Sequence, residues 1–285
     1  MLPSLRGPAL LAPEWEGYAR DAVARMAALN GTIPDGATAL AGVTGTRRLY
    51  PVVEGVAVVG VSGLLVHKLG FIGCDFITGY DGIRAQLAQA FADPEVRAIV
   101  LDIDSGGGTV AGCFDLVDWI VAAKAESGKT VAAILSEEAY SAAYAIATAA
   151  DSIAVPQTGG VGSIGAVIMH LDISRLLEHD GVAVSLIHAG QHKVDGNPFQ
   201  ALPDTVRADW QRAVDDTRRL FAAVVARNRQ AAGAALTEQD ALDTEARCLK
   251  GPTGTAEAVR IGLADAVMPP DAAFAAVLHH LETHP

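Results

Sequence analysis

Aromatic residues are scarce in this chain, at 5% of 285 positions, although 51% of the sequence is hydrophobic. Its core must therefore be built from Ala, Val, Leu and Ile, and helices made of such small residues pack closely on a sheet. Cysteine is scarce too. Cys74, Cys113 and Cys248 are odd in number and far apart, which excludes a disulfide framework and fits a reducing compartment. There is no HExxH and no histidine pair at ligand spacing, so neither a metal nor a cofactor is expected. GxGxxG is missing, as is a glycine turn followed by Lys-Ser/Thr, so a nucleotide site is disfavoured. Positive charge is in deficit, with 21 Lys and Arg against 33 Asp and Glu and a formal charge of −12. No basic stripe offsets it, and nucleic acid is not expected as a partner. Long apolar runs are missing near the start. Gly55–Val66 spans twelve residues and ends at His67 and Lys68, short of the roughly 20 that a membrane helix needs. The opening MLPSLRGPALLAPEWEG has three prolines and no continuous apolar segment. The expectation is a cytoplasmic protein without signal sequence or membrane anchor.

What is present is an alternation of strand-like and helix-like segments from Val52 onward. It predicts an α/β protein with crossover units around a mostly parallel sheet. Residues 1–51 read as an N-terminal helix, Pro13–Leu29, followed by an extended arm, Asn30–Pro51, rich in Gly, Thr and Pro. Residues 52–270 read as the main domain and 271–285 as a helical tail. Within the main domain, Gly79–Asp93 reads as a helix with Ile83, Leu87 and Phe91 on one face. Leu202–Gln230 reads as a long helix whose scattered arginines form a solvated face, or else bear on a neighbouring subunit.

Four segments carry candidate chemistry. Ser141 stands between an apolar run, Thr130–Leu135, and the small-residue stretch SAAYAIATAAD, so it is placed at a strand-to-helix corner. Lys193 lies in AGQHKVDGNPF after another apolar run, Val182–His188, read as a strand. A lysine becomes a base only when desolvation or a neighbouring cation lowers its pKa. The segment LDIDSGGGTVAG joins a doubly buried strand to a helix, and its glycines allow backbone N–H groups to turn toward a substrate. In TGGVGSIGAV, Ser163 lies between the strand-like runs SIAVP and AVIMHLD, within reach of the lysine amine or as an ordinary turn serine. An N-capping serine and a solvated lysine would look the same singly; together with the glycine turn they point to a Ser–Lys hydrolase. The rival arrangement is Ser–His–Asp, with His170 and one of Asp172, Asp195 or Asp215.

The order strand–SxGG–helix–strand–Ser–helix–strand–GSIG–strand–helix–strand–GxxKxxGxPF resembles the signal peptide peptidase A type of Ser–Lys serine peptidase. The resemblance runs from about Val52 to Val267 and is closest to the phage capsid assembly protease branch, notably over GQHKVDGNPFQALPDTVRADWQRAVDDTRRLFAAVVA and TGGVGSIGAVIMH. It implies a Clp protease/crotonase-like fold with repeated β-β-α and βαβ units. It implies Ser141 as nucleophile and Lys193, 52 residues later, as general base. Gly108 and Ala142 become the oxyanion-hole donors, and Ser163 the residue that orients the lysine. Protein or peptide substrates are implied, with no cofactor, and so is a homo-oligomer forming a ring or dome. Portal, coat and scaffold proteins are the implied partners, in the host cytoplasm or inside a procapsid. Other readings kept open are a signal-peptide-degrading enzyme, a non-catalytic scaffold subunit and a crotonase-like acyl-CoA enzyme. One departure is plain: the family's Ser-Pro-Gly-Gly has Gly106 in place of proline. The resemblance implies that Gly106→Pro would be tolerated.

Overall fold

The computed structural model describes residues 9–29, 32–41 and 47–284, so the Asn30–Pro51 arm lies partly outside the described residues. Three long parallel strands form the centre: β4 (Val56–Val66), β7 (Ala98–Thr109) and β8 (Thr130–Tyr140). Helices α2 (Tyr80–Ala92) and α3 (Cys113–Ser127) cross between them, as parallel neighbours require. Before them come β1 (Ala9–Leu11), α1 (Glu16–Ala28), β2 (Thr38–Ala39) and β3 (Val52–Val53), and between β4 and α2 lie β5 (Phe71–Ile72) and β6 (Ile77–Gly79). After β8 come α4 (Ala142–Ala147), β9 (Ser152–Val155), β10 (Gly160–Gly162), α5 (Ser174–His179), α6 (Asp204–Ala231), α7 (Glu238–Asp243), β11 (Cys248–Lys250), α8 (Gly251–Arg260), β12 (Ala266–Val267) and α9 (Pro270–Thr283). The α/β class and mostly parallel sheet are those expected from the sequence.

Both faces of the sheet are covered, which explains why its strands read as nearly continuous apolar runs. Ile99, Leu101 and Ile103 of β7 join the main core with α2, α3, α4 and α6. Ala98 and Val100, on the opposite pleat, pack with Ala273 and Leu281 of α9. Helix α1 lays Ala19 and Ala22 against Leu64 of β4 and Ile77 of β6.

The long strands change partners along their length. The N-terminal half of β8 pairs with β9, while Glu138–Tyr140 at its end pair with β10. Register shifts fall between Ser62 and Leu64 on β4 and between Ile103 and Ser105 on β7. Such bulges bend a strand and re-aim the residues beyond them. Past them, β4 gains β6, β7 gains β1, and β10 is joined by β11. The glycine segment 106–108 is thus strand rather than the expected loop.

Two expected strands are not formed. Residues 166–172 make a single bridge, Ala9 to Val167, and 182–188 make no ladder. Met169, Leu171, Val182, Val184 and Ile187 are exposed in consequence. A strand needs a partner edge, and among the described residues this segment has none beyond Val167. The long helix is as expected, with one correction to its solvated face. Arg229 is fully buried and forms a fork on Asp265, with Nε donating to the Gly262 carbonyl at 2.8 Å.

Candidate active site

The C-terminal ends of β4, β7, β8 and β10 meet at one edge of the sheet, the edge where open α/β sheets hold their ligands. Ser141 caps this edge. Its main-chain torsions are φ 54° and ψ −119°, a region that a residue with a β-carbon occupies at a cost of about 1–3 kcal/mol. Two bonds impose it. Ser141 N–H donates to the Gly162 carbonyl at 2.8 Å, and its own carbonyl accepts from Ala145 N–H at 2.9 Å as α4 begins. The side chain is 1% exposed, and its Oγ has no hydrogen-bond partner among the described residues. A buried hydroxyl left without a partner costs about 1–3 kcal/mol, so this corner combines strain with an unused polar atom.

Three other expected residues, Ala142, Ser163 and Gly108, lie at the same edge of the sheet. Ala142 holds the first helical position of α4, whose N–H has no acceptor within the helix. Ser163 is next after Gly162, is buried, and has φ 55°. Its N–H donates to the Arg247 carbonyl at 3.0 Å, and its hydroxyl lies beside the Cys248 thiol. Burial is the first cause that pushes that thiol up to about 12. Gly108 pairs with Leu65 of β4, and a β-carbon there would overlap the Leu65 carbonyl, so only glycine fits. Ser105 sets this segment. Its hydroxyl donates to the Gly63 carbonyl at 2.6 Å and accepts from Gly107 N–H at 3.1 Å. Nothing in the local sequence singled Ser105 out from an ordinary turn serine.

Gly106 has an explanation that the sequence pattern hid. A β-carbon at 106 would overlap Trp15, with Trp15 Cβ at 2.5 Å. The indole fills the place that a proline ring would need, and its Nε1 donates to Glu138 at 2.8 Å. The expectation that Gly106→Pro is tolerated is therefore overturned by a residue 91 positions upstream.

Lys193 makes no hydrogen bond to Ser141. It sits in a turn, its N–H donating to the Gly190 carbonyl at 3.2 Å, and its side chain is exposed with no hydrogen bond or ion pair among the described residues. The turn belongs to the segment whose expected strands are unpaired. The rival histidine does not join the site either. His170 Nε2 contacts the Asn197 carbonyl at 3.0 Å, and its ring meets Trp210 edge-on at 6.1 Å. No cluster of His, Cys, Asp and Glu suited to a metal occurs among the described residues, and no helix among them is long and apolar enough to cross a membrane. A cavity of about 690 Å³ lies elsewhere, lined by Arg229, Arg247, Arg260 and Asp265.

Known proteins share much of the sequence. The chain is 44% identical over 230 residues to the head-tail preconnector protein GP5 of Enterobacteria phage P21, covering 79% of this chain and 43% of that protein. It is 43% identical over 219 residues to capsid assembly protease C of Escherichia phage lambda, covering 76% of this chain and 47% of that one. The chain thus spans under half the length of these relatives. Among solved structures it is similar to the membrane-bound stomatin-specific protease 1510-N, in a Lys-to-Ala mutant form with a substrate peptide, at 17% identity and a TM-score of 0.45, covering 75% of this chain and 74% of that one. The model of peptidase family S49 matches residues 123–282, more than half of the sequence and the part that holds Ser141, Ser163 and Lys193, and the chain belongs to that family.

Proposed function

We propose that this chain is a serine endopeptidase of phage head maturation, with Ser141 as nucleophile and Lys193 as general base. The observation that carries the reading is Ser141 itself: a buried, strained serine whose Oγ is unpaired, at the C-terminal edge of a parallel sheet. Neutral Lys193 takes the Ser141 proton as Oγ attacks a peptide carbonyl. The oxyanion rests on the N–H groups of Gly108 and Ala142, each such donor contributing about 2.7–4 kcal/mol in comparable sites. The amine leaves with a proton from Lys193, and water, deprotonated by Lys193, hydrolyses the acyl-enzyme. Ser163 holds the amine in line.

A base lysine must be dry, and Lys193 is exposed in the single chain. A homo-oligomer answers this. The stretches 168–173 and 182–188, which form no ladder, carry Met169, Leu171, Val184 and Ile187 outward, and covering them with other copies buries the apolar row and the lysine together. The substrate assignment rests on the two phage relatives, one of them named a capsid assembly protease. Coat, portal and scaffold proteins are then the substrates and partners, and the enzyme works in the host cytoplasm or inside the procapsid.

The test is co-expression with phage coat, portal and scaffold proteins. Defined cleavages that vanish in Ser141→Ala and in Lys193→Ala are expected. Cleavages that persist in Lys193→Ala and vanish in His170→Ala would move the base to histidine, and intact head proteins alongside rapid loss of detergent-solubilised signal peptides would overturn the substrate assignment.

A further inference from the structure

The glycine edge of β7 is occupied, and the occupant is the chain itself. On one side β1 pairs antiparallel with β7, setting Leu11 opposite Gly107, Leu10 opposite Gly108 and Ala9 opposite Thr109. On the other side Ala9 N–H donates to the Val167 carbonyl at 2.9 Å, and Val167 N–H returns to the Ala9 carbonyl at 3.0 Å. Ala12 N–H donates to the Gly106 carbonyl at 2.8 Å. Hydrogen-bonded pairs alternate along an antiparallel ladder, so Leu10 and Gly108 form the next such pair. The Gly108 N–H is therefore spent on the Leu10 carbonyl, in the place where catalysis by Ser141 needs the carbonyl of a substrate.

An extended segment held by main-chain bonds along both edges is how a peptide binds by strand addition. Side chains fasten it further. Ala9 and Ala12 are buried at 8% and 1% exposure, which leaves room only for small residues there. Downstream, Trp15 fills the space over Gly106 and bonds Glu138, and Glu14 pairs with Lys250 at 3.1 Å. Gly106, the departure from the family's proline, is what admits this indole.

We propose that Ala9–Ala12 is an internal occupant of the peptide groove beside Ser141, holding the chain in a self-blocked state from which an incoming extended peptide must displace it. This rests on the reading of Ser141 as the nucleophile. Because the blocker is tethered, apparent peptide affinity is the intrinsic affinity multiplied by the fraction of chains in which β1 has left. Substrate acceptance is then governed by what releases the N-terminal segment as well as by sequence at the cleavage point.

The test uses binding without chemistry, in full-length Ser141→Ala chains. Ala9→Cys with Thr109→Cys gives a reversible lock. The two face each other as a non-hydrogen-bonded pair, with Cα atoms about 4.5 Å apart, inside the disulfide range of roughly 4.4–6.8 Å. Ala9→Pro with Ala12→Pro removes two of the N–H donors that hold the strand. The probe is a fluorescein-labelled octapeptide of residues 7–14, GPALLAPE, read by anisotropy. The oxidised lock should bind at least about tenfold more weakly than its reduced form, which serves as the folding control, and the proline variant about tenfold more tightly than the parent. Equal binding by oxidised and reduced lock, or no binding by any form, overturns the proposal. Tight binding by the proline variant without any cleavage once Ser141 is restored would support the blocked groove and overturn the peptidase reading.

Discussion

The fit between Gly106 and Trp15 yields a sharp energetic test. A methyl at 106 would overlap Trp15 Cβ, Cγ and Cδ2 at once, so no rotation of the indole about its own bonds clears it. The chain must either shift backbone or release the N-terminal segment. Overpacking of this kind costs about 1–3 kcal/mol. Release also gives up the bond from Trp15 Nε1 to the Glu138 carboxylate, and bonds to charged groups are worth about 1.5–3 kcal/mol. The cheaper escape sets the outcome, so Gly106→Ala should destabilise by about 1–3 kcal/mol. In a Trp15→Gly background the obstruction is gone, and the same substitution should cost under about 1 kcal/mol. Urea unfolding of the four chains, monitored by circular dichroism and by the fluorescence of Trp119 and Trp210, gives the cycle. A coupling of about 2 kcal/mol is expected between two positions 91 residues apart. If Gly106→Ala costs the same with and without the indole, to within about 0.5 kcal/mol, Trp15 does not fill that space and the account of the family departure is wrong.

Three further outcomes are expected from the geometry. Ser141→Gly should be more stable than Ser141→Ala by about 1 kcal/mol, because glycine accepts φ 54° without strain; equal denaturation midpoints would remove the argument for stored strain. The Arg48 guanidinium, with Glu95 N–H and the Tyr50 hydroxyl, holds Asp93 at about 2, below its ordinary value near 3.8. Its contribution is complete above about pH 4 and lost as pH falls toward 2, so the stability gap between wild type and Asp93→Asn should close over that window and stay constant above it. Burial pushes Cys113 and Cys248 up to about 12, so a disulfide reagent at pH 8 should modify Cys74 fast and the other two slowly, and rapid loss of all three thiols in the folded protein would contradict that burial.

What was legible in the sequence is what local pattern controls. The run Thr130–Leu135 followed by small residues gave the corner at Ser141, since strand, turn and helix are each written in a few adjacent positions. Ala98–Ile103 gave a doubly buried strand for the same reason. The positive φ of Ser141 was not legible, because the bond from its N–H to Gly162 that imposes it comes from a strand 21 residues on. Propensity also misled where partners were missing. Val182, Val184 and Leu186 alternate as a strand should, yet no edge among the described residues receives them, and they lie at 50%, 42% and 38% exposure. An alternating apolar row specifies a face to be covered, and a single chain need not contain the cover.

Gly106 makes the deeper point. Scored against a motif it is a lost proline and a looser turn. In the fold it is the vacancy that Trp15 fills, and Trp15 holds down the strand that runs along Gly107 and Gly108. A departure from pattern in this glycine strand is therefore to be weighed against segments that have no place in the pattern, because a missing side chain changes what the rest of the chain can bring close. Here the segment concerned is the N-terminal one, whose backbone runs antiparallel along Gly107 and Gly108.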